Sequence, residues 1–393
     1  MKHPVCMLKN IATVTSGQSA PQGMQYFSDH GTPFVRAGSL EFLTRGLSED
    51  DCEKISERVA QKFHLRLLPA DTILFAKSGM SAKIGRVYRF KSPCYVVSHL
   101  AAVIPGPKIV PSYLQRWFER FPPSRLIPNE AYPSIRLSEI ERLQIPVPPL
   151  PEQKRIATIL DKADAIRRKR QHAIKLADEF LRSVFLDMFG DPVINTKRWN
   201  KASLESLCSN VVDCPHATPI YEDQKSPYPC LRSSDLQNGH LAFQTTKYVD
   251  KNVYHDRTLR LKPTKGDIIY CREGARLGNC AIVPEELTPC LGQRTMLFRA
   301  DQNEATPAFL ITLLNHKGVR KDISNKIIGA AAPRVNIQDL KQYDIIRPPL
   351  SLQRHYEKVS FRFEWNRRRC LDHLKLSKEA FNSLVQIAFH GEL

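Results

Sequence analysis

The sequence predicts an α/β (α+β) fold made by duplication: two similar mixed domains, a pair of long antiparallel helices, and an internal pseudo-twofold repeat. Three observations predict it. A long charged amphipathic stretch at 148–191 recurs from Pro348 onward at a constant shift of 200 residues, so that Gln153 meets Gln353, Asp164 meets Glu364 and Phe189 meets Phe389. The segments before each copy also recur, at a shift of 196: Pro33-x-x-Arg36 becomes Pro229-x-x-Arg232, and Pro111-Ser112-Tyr113-Leu114 becomes Pro307-Ala308-Phe309-Leu310. Finally, no Pro or Gly interrupts Glu152 to Met188, as a single long helix requires.

The first domain is expected over 1–147. Pro33 to Arg36 and Asp71 to Phe75 read as short apolar strands, the second followed by a Ser/Gly-rich loop from Lys77 to Arg86. Val87 to Phe90, Tyr95 to Val97 and Leu100 to Ile104 are further strand candidates. Pro111 opens a helix through Tyr113, Leu114, Trp117 and Phe118, with Pro at the first helical position and apolar spacings of three and four. A turn-rich stretch from Phe121 to Pro133 leads to a short helix around Ser138 to Leu143, with Ser138 as its N-cap. Gln144 to Val147 reads as the last strand.

The second domain, 192–347, repeats this order. Leu8 corresponds to Leu204, Leu40 to Leu236 and Asp71 to Asp267. Cys271 to Asn279 stands where the Lys77 to Arg86 loop stood, and Pro333-x-Val335-x-Ile337-x-Asp339 echoes Pro133-x-Ile135-x-Leu137-x-Glu139. Scaffold positions recur while the loops change length and charge. The pattern fits one fold carrying two recognition surfaces; it also fits an old duplication whose loops drifted.

The two helices, expected over 148–191 and 348–393, share an apolar seam. Ile156, Ile159, Ala163, Ile174, Leu181, Phe185 and Met188 correspond to Tyr356, Val359, Phe363, Leu374, Phe381, Val385 and Ala388. At 1.5 Å per residue each helix is roughly 55 Å long. Neither can bury its stripe alone, so the pair is expected to meet antiparallel. Between the apolar groups lie the basic runs Arg167 to His172 and Arg367 to Arg369. These fit a solvated face, a phosphate-facing surface or a surface for an acidic partner.

Length and charge narrow the function. At 393 residues, two or three domains are expected. A content of 42% hydrophobic and 25% charged residues is that of a globular chain. A net charge of +18 and a pI near 9.5 favour a polyanionic partner. No run of about 18 apolar residues supports a membrane span. Met1 to Asn10 lacks the apolar core of a signal peptide, so the cytoplasm is the expected location. The ten cysteines contain no C-x-x-C, and Cys208, Cys214 and His216 fit no common zinc spacing; no metal site is expected.

Catalytic signatures are lacking. There is no Gly-x-x-x-x-Gly-Lys-Ser/Thr, no Asn/Asp-Pro-Pro-Tyr/Phe, no Gly-x-Ser-x-Gly, no His-Glu-x-x-His and no compact Asp…Glu-x-Lys. His99 and His216 read as ordinary structural or surface histidines. The reading is binding without chemistry. The alternatives are a methyltransferase or nuclease with divergent motifs and a non-specific nucleic-acid-binding scaffold.

Pro148-Pro149-Leu150-Pro151-Glu152-Gln153-Lys154-Arg155-Ile156, the helix ending Met188-Phe189-Gly190-Asp191-Pro192, and the terminal Ala388-Phe389-His390-Gly391-Glu392-Leu393 carry a resemblance. The whole chain resembles the specificity subunit of type I restriction-modification enzymes. The second copy departs at Leu352 and Tyr356, where the first has Glu152 and Ile156. The resemblance implies two target recognition domains, each reading one half of a split asymmetric DNA sequence. The helices would set the spacer and dock two methyltransferase subunits, and motor-nuclease subunits would join that core. It implies no catalysis here: S-adenosylmethionine, ATP and Mg²⁺ would belong to the partners. Inserting four residues near Arg170 would then alter the preferred spacer.

Base reading needs paired donors and acceptors, chiefly Arg, Lys, Asn and Gln. Candidates in the first domain are Arg36, Lys77, Ser78, Lys83, Arg86 and Arg136. In the second they are Arg232, Arg272, Arg276, Asn279, Arg294, Arg334 and Asn336. Tyr132 and Tyr221 are candidates for stacking on bases, with core or rim packing as the plainer role.

Overall fold

The same sheet topology is built twice along the chain. In this computed structural model, residues 3–237, 239–325 and 334–390 are described. Pro333 and the terminal Gly391-Glu392-Leu393 lie outside the described residues. The chain divides into two compact units, one holding the described residues up to Gln171 and from Asp372 onward, the other His172–Leu371. Both divisions fall inside the long helices.

In the first unit the order is β1 (Val5–Met7), β2 (Ala12–Ser16), β3 (Thr32–Val35), α1 (Ser39–Leu43), β4 (Lys54–Ile55), α2 (Glu57–Lys62), β5 (Ile73–Ala76), α3 (Met80–Ile84), β6 (Val87–Arg89), β7 (Tyr95–Val96), β8 (Leu100–Pro105), α4 (Pro111–Arg120), α5 (Leu137–Glu141) and β9 (Gln144–Pro146), leading into the long α6 (Leu150–Phe189). An antiparallel sheet runs β2-β8-β5-β6; a smaller sheet runs β4-β3-β7, with β3 and β7 parallel; β1 pairs with β9.

In the second unit β10 (Lys201–Ser203), β11 (Cys208–Asp213), β12 (Pro229–Leu231), β13 (Leu236–Gln237), β14 (His240–Leu241), β15 (Lys247–Tyr248), α7 (Lys251–Thr258), β16 (Ile268–Cys271), β17 (Cys280–Ile282), β18 (Cys290–Leu291), β19 (Thr295–Ala300), α8 (Pro307–Leu314), α9 (Lys317–Ser324), α10 (Ile337–Lys341) and β20 (Asp344–Ile346) precede the long α11 (Leu350–His390). The sheets are β11-β19-β16-β17, β15-β12-β18 and β10-β20, strand for strand the arrangement of the first unit, with a β13-β14 hairpin added.

Three sequence expectations need correction. The Lys77 to Arg86 segment is not loop throughout: Met80–Ile84 forms a helical turn that Gly85 closes in the left-handed region, at φ 68°. Its Ser/Gly content hid a helix of little more than one turn. The short helix before β9 starts at Leu137, with Arg136 rather than Ser138 at the N-cap position. Asp71 corresponds to Gly266, not to Asp267. Both have left-handed backbones, at φ 66° and 87°, and each donates to a carbonyl of the neighbouring segment, Phe90 and Val283. Matching acid to acid concealed a position fixed by backbone conformation, which Gly adopts freely.

The helices complete the cores. In the first unit Ile156, Ala157 and Leu160 of α6 lie in one cluster with Tyr113, Trp117 and the end of α11, where Val385, Ala388 and Phe389 are buried. In the second unit Phe185 and Phe189, at the end of α6, pack on Phe309 and Tyr356, with ring centroids 5.0–5.9 Å apart. Each buried Phe contributes on the order of 2 kcal/mol. Each domain is thus closed by the start of the helix that follows it and the end of the other copy's helix. Within each unit the two segments are antiparallel: Arg170 bonds the His373 carbonyl, and Asp178 pairs with Arg367 while Phe185 meets Tyr356.

Buried glutamines tie each helix start to its domain. Gln153 Oε1 accepts from the Val110 N–H at 2.7 Å, and Nε2 donates to the carbonyls of Lys108 and Pro148. Gln353 makes the same three bonds, to Thr306, Glu304 and Pro348.

Candidate nucleic-acid interface

Each unit presents one backbone frame built from three segments. In the first unit Lys77, just after β5, donates its N–H to the His99 carbonyl at 2.9 Å and accepts from the Ile135 N–H at 2.7 Å. In the second, Arg272, just after β16, donates to the Arg294 carbonyl at 3.0 Å and accepts from the Val335 N–H at 3.1 Å. Bridges Ser78–Ser134 and Glu273–Arg334 extend the two frames by one residue each. The frame needs no particular side chain, because backbone groups make it. On it stand Lys77, Ser78, His99, Ser134 and Arg136 in one unit, and Arg272, Glu273, Arg294, Arg334 and Asn336 in the other.

The first-unit candidates fall into two groups. Lys77, Ser78 and Arg136 share the frame; Arg136 is exposed and has no side-chain partner among the described residues, and Tyr132 beside it is also exposed. Ser78 Oγ lies 2.9 Å from His99 Nδ1. Lys83 is 3.8 Å from Glu130, and Arg86 is 3.5 Å from Glu41. Arg36 lies apart from the frame, at the end of β3, where Glu53 holds its Nε at 2.7 Å and its guanidinium lies over Phe27.

In the second unit Arg294 and Arg334 are exposed, and Arg294 has no side-chain partner among the described residues. Arg276 is exposed and donates to the Ser234 carbonyl at 3.1 Å. The other candidates each have at least one polar side-chain atom engaged within the unit. Arg272 is 7% exposed and bidentate to Asp213, at 2.9 and 3.1 Å, with Glu273 at 2.6 Å. Burial opposes its charge, and Asp213 and Glu273 more than offset that, so the guanidinium is held ionised. Asn279 donates to the Leu236 carbonyl and accepts from Arg320. Asn336 caps α10, accepting from the Gln338 N–H. Arg232 reaches the Thr245 carbonyl and lies over Tyr221.

His99, expected to be an ordinary structural or surface histidine, stands on the frame. Its signal was positional: the 195-residue shift that links Lys77 to Arg272 also links His99 to Arg294. Glu273, an acceptor where the first unit has Ser78, was missed for the same reason.

One frame carrying two different polar sets defines a two-module recognition protein. The chain belongs to the family of the type I restriction modification DNA specificity domain, whose model matches it twice, at residues 5–176 and 197–359. Among curated relatives it is similar to the type I restriction enzyme MjaIX specificity subunit of Methanocaldococcus jannaschii, at 24% identity over 91% of this chain and 86% of that one. It is also similar to the EcoKI specificity subunit of Escherichia coli, at 19% identity over 95% and 84%. The crystal structure of a type I restriction-modification S subunit from M. genitalium shares the fold, with a TM-score of 0.61 at 13% identity over 99% of this chain and 96% of that one.

Proposed function

We propose that this chain is the DNA-specificity subunit of a type I restriction-modification complex, each unit reading one half of a split, asymmetric duplex target. The shared frame with unlike side chains carries the reading: one scaffold offers Lys, Ser, His and Arg in one unit and Arg, Glu and Asn in the other. The net charge of +18 supplies phosphate attraction, which positions without specifying; base edges are left to solvent-accessible side chains on and beside the frame. Lys77, Ser78 and Arg136 are assigned to one half-site, and Arg276, Arg294 and Arg334 to the other. Arg272 and Asn279 position that second surface, because their polar groups are engaged within the unit, and Asn336 positions it as the N-cap of α10. Arg36, Lys83, Arg86 and Arg232 are assigned to the rim, as phosphate contacts.

On this reading the paired helices set the spacer and dock two methyltransferase subunits, with motor-nuclease subunits completing a cytoplasmic complex. No reaction is assigned to this chain; S-adenosylmethionine, ATP and Mg²⁺ are assigned to the partners. Among the described residues no helix is long and apolar enough to cross a membrane. The test is the genomic methylation motif in cells whose specificity gene is replaced by Arg294→Ala/Arg334→Ala. The expected result is a relaxed or altered motif in one half and an unchanged other half. Equal loss at both halves overturns the assignment.

A further inference from the structure

The parallel pairing of β12 with β18 sets Cys230 directly opposite Cys290. The same register position in the first unit holds Phe34 opposite Tyr95. Neighbouring strands lie about 4.8 Å apart, inside the roughly 4.4–6.8 Å Cα window that a disulfide spans. Side chains paired in this way leave the sheet on one face, and both thiols enter the same small buried cluster with Val249 and Tyr254. The two thiols are close enough that each shifts the ionisation of the other.

A cation without a counter-ion stands beside them. Arg257 of α7 is 7% exposed, and it donates to the carbonyls of Leu291, Ala217 and Pro215 at 2.8, 3.0 and 3.2 Å. No carboxylate among the described residues pairs with it, so its charge acts on the neighbouring sulfur. The thiols differ accordingly. Burial pushes Cys52 up to about 11 and Cys280 up to about 12, whereas the neighbouring Cys230 thiol and Arg257 outweigh burial at Cys290 and hold it below the ordinary thiol value. A thiol whose ionisation is favoured, set opposite a second thiol, is the arrangement that oxidises to a disulfide.

We infer that Cys230 and Cys290 form a redox-sensitive dithiol that a peroxide converts to a β12–β18 disulfide. The Cys290 thiolate attacks one peroxide oxygen, the O–O bond breaks, and the other oxygen leaves as water once protonated. The Cys230 sulfur then attacks the Cys290 sulfenic acid, whose hydroxyl leaves as a second water. Overall two thiols and one hydrogen peroxide give one disulfide and two waters. Because both sulfurs are buried, reaction follows local opening of the small cluster. The bond would fasten β12, which runs into Arg232, to β18, which runs through Gln293 into Arg294. This inference stands apart from the DNA-reading proposal.

Peptide mapping of the full chain tests it after treatment with hydrogen peroxide, denaturation and alkylation without reductant. The expected product is about 2 Da lighter, by the two hydrogens lost, takes up two fewer alkyl groups, and yields a peptide linking Cys230 to Cys290 that dithiothreitol releases. Cleavage after Glu285 or Glu286 separates Cys290 from Cys280. Cys230→Ser is expected to leave a sulfenic acid on Cys290 that dimedone traps, and Cys290→Ser to abolish the link. Mapping of the unsubstituted chain decides the matter even where a variant fails to fold. Full alkylation of both residues, a link to another cysteine, or sulfinic acid at either position overturns the inference.

Discussion

Arg272 is bidentate to Asp213, Nε and Nη2 lying 2.9 and 3.1 Å from the two carboxylate oxygens, with both side chains largely out of solvent. A buried ion pair broken on one side leaves an uncompensated charge, at a cost of about 3 kcal/mol. Arg272→Ala should therefore destabilise the second unit by about that amount. Arg294→Ala, on the residue whose carbonyl accepts from the Arg272 N–H but with an exposed side chain, should change stability by less than about 0.5 kcal/mol. Urea unfolding with hydrogen exchange resolved over 172–371 measures both. A stable Arg272→Ala that has lost recognition would assign Arg272 to the DNA rather than to the frame.

Gln153 and Gln353 are each a single side chain holding three backbone groups at a helix start. Truncation to Ala leaves buried donors and acceptors unmet, each costing roughly 1–3 kcal/mol, so a net loss of about 3 kcal/mol is expected per site. Glu should not rescue, since an ionised carboxylate accepts from Val110 or Thr306 but cannot donate to the two carbonyls. Hydrogen exchange should accelerate at Val110 for the Gln153 variants and at Thr306 for the Gln353 variants, each change staying within its own unit.

The 200-residue shift made those glutamines legible as a repeated feature, but not their role, which needs the loops at 108–110 and 304–306 alongside. The fold class and the seam were legible because burial follows period: none of the fourteen expected seam positions is exposed. The basic mid-section was not legible. Arg167 and Arg168 hold Asp164, Arg170 bonds the His373 carbonyl and Ser377, Arg367 holds Asp178, and Arg369 lies over Trp365. Most of the run is thus engaged within the chain, with acceptors that are remote in sequence or sit on an adjacent turn. The recognition surface was legible only as loops. Whether Arg272 faces outward or Asp213 depends on a contact 59 residues away, which no local pattern encodes.

Asp164 is 2% exposed and carries three guanidinium groups, Arg167 and Arg168 at 3.0 and 2.8 Å and Arg116 at 3.2 Å. Burial alone would raise its pKa; the arginines, Arg167 foremost, reverse this and hold it below the usual value. A carboxylate depressed on folding stabilises the folded state above its unfolded pKa, near 3.9, and loses that contribution as pH falls through the folded value. Asp164→Asn should therefore be destabilising at pH 7, and the gap to the parent should close below about pH 4. Paired urea titrations from pH 7 to pH 3 give the difference directly. A gap independent of pH would remove the ionised carboxylate from the account.

The spacer role proposed for α6 and α11 is best tested by lengthening both helices together. An insert in one alone would separate Arg170 from His373 or Asp178 from Arg367, and so damage the pairing within a unit. Four residues would turn the following segment about 40° out of phase at 3.6 residues per turn. Seven residues, after Gln171 and again before Asp372, leave about 20° of error per helix and add about 10 Å. That length matches roughly three base pairs at 3.4 Å each. Both half-site sequences should persist in the methylation motif while the gap between them grows by two to four base pairs. An intact motif with the original gap would show that something other than these helices sets the spacing.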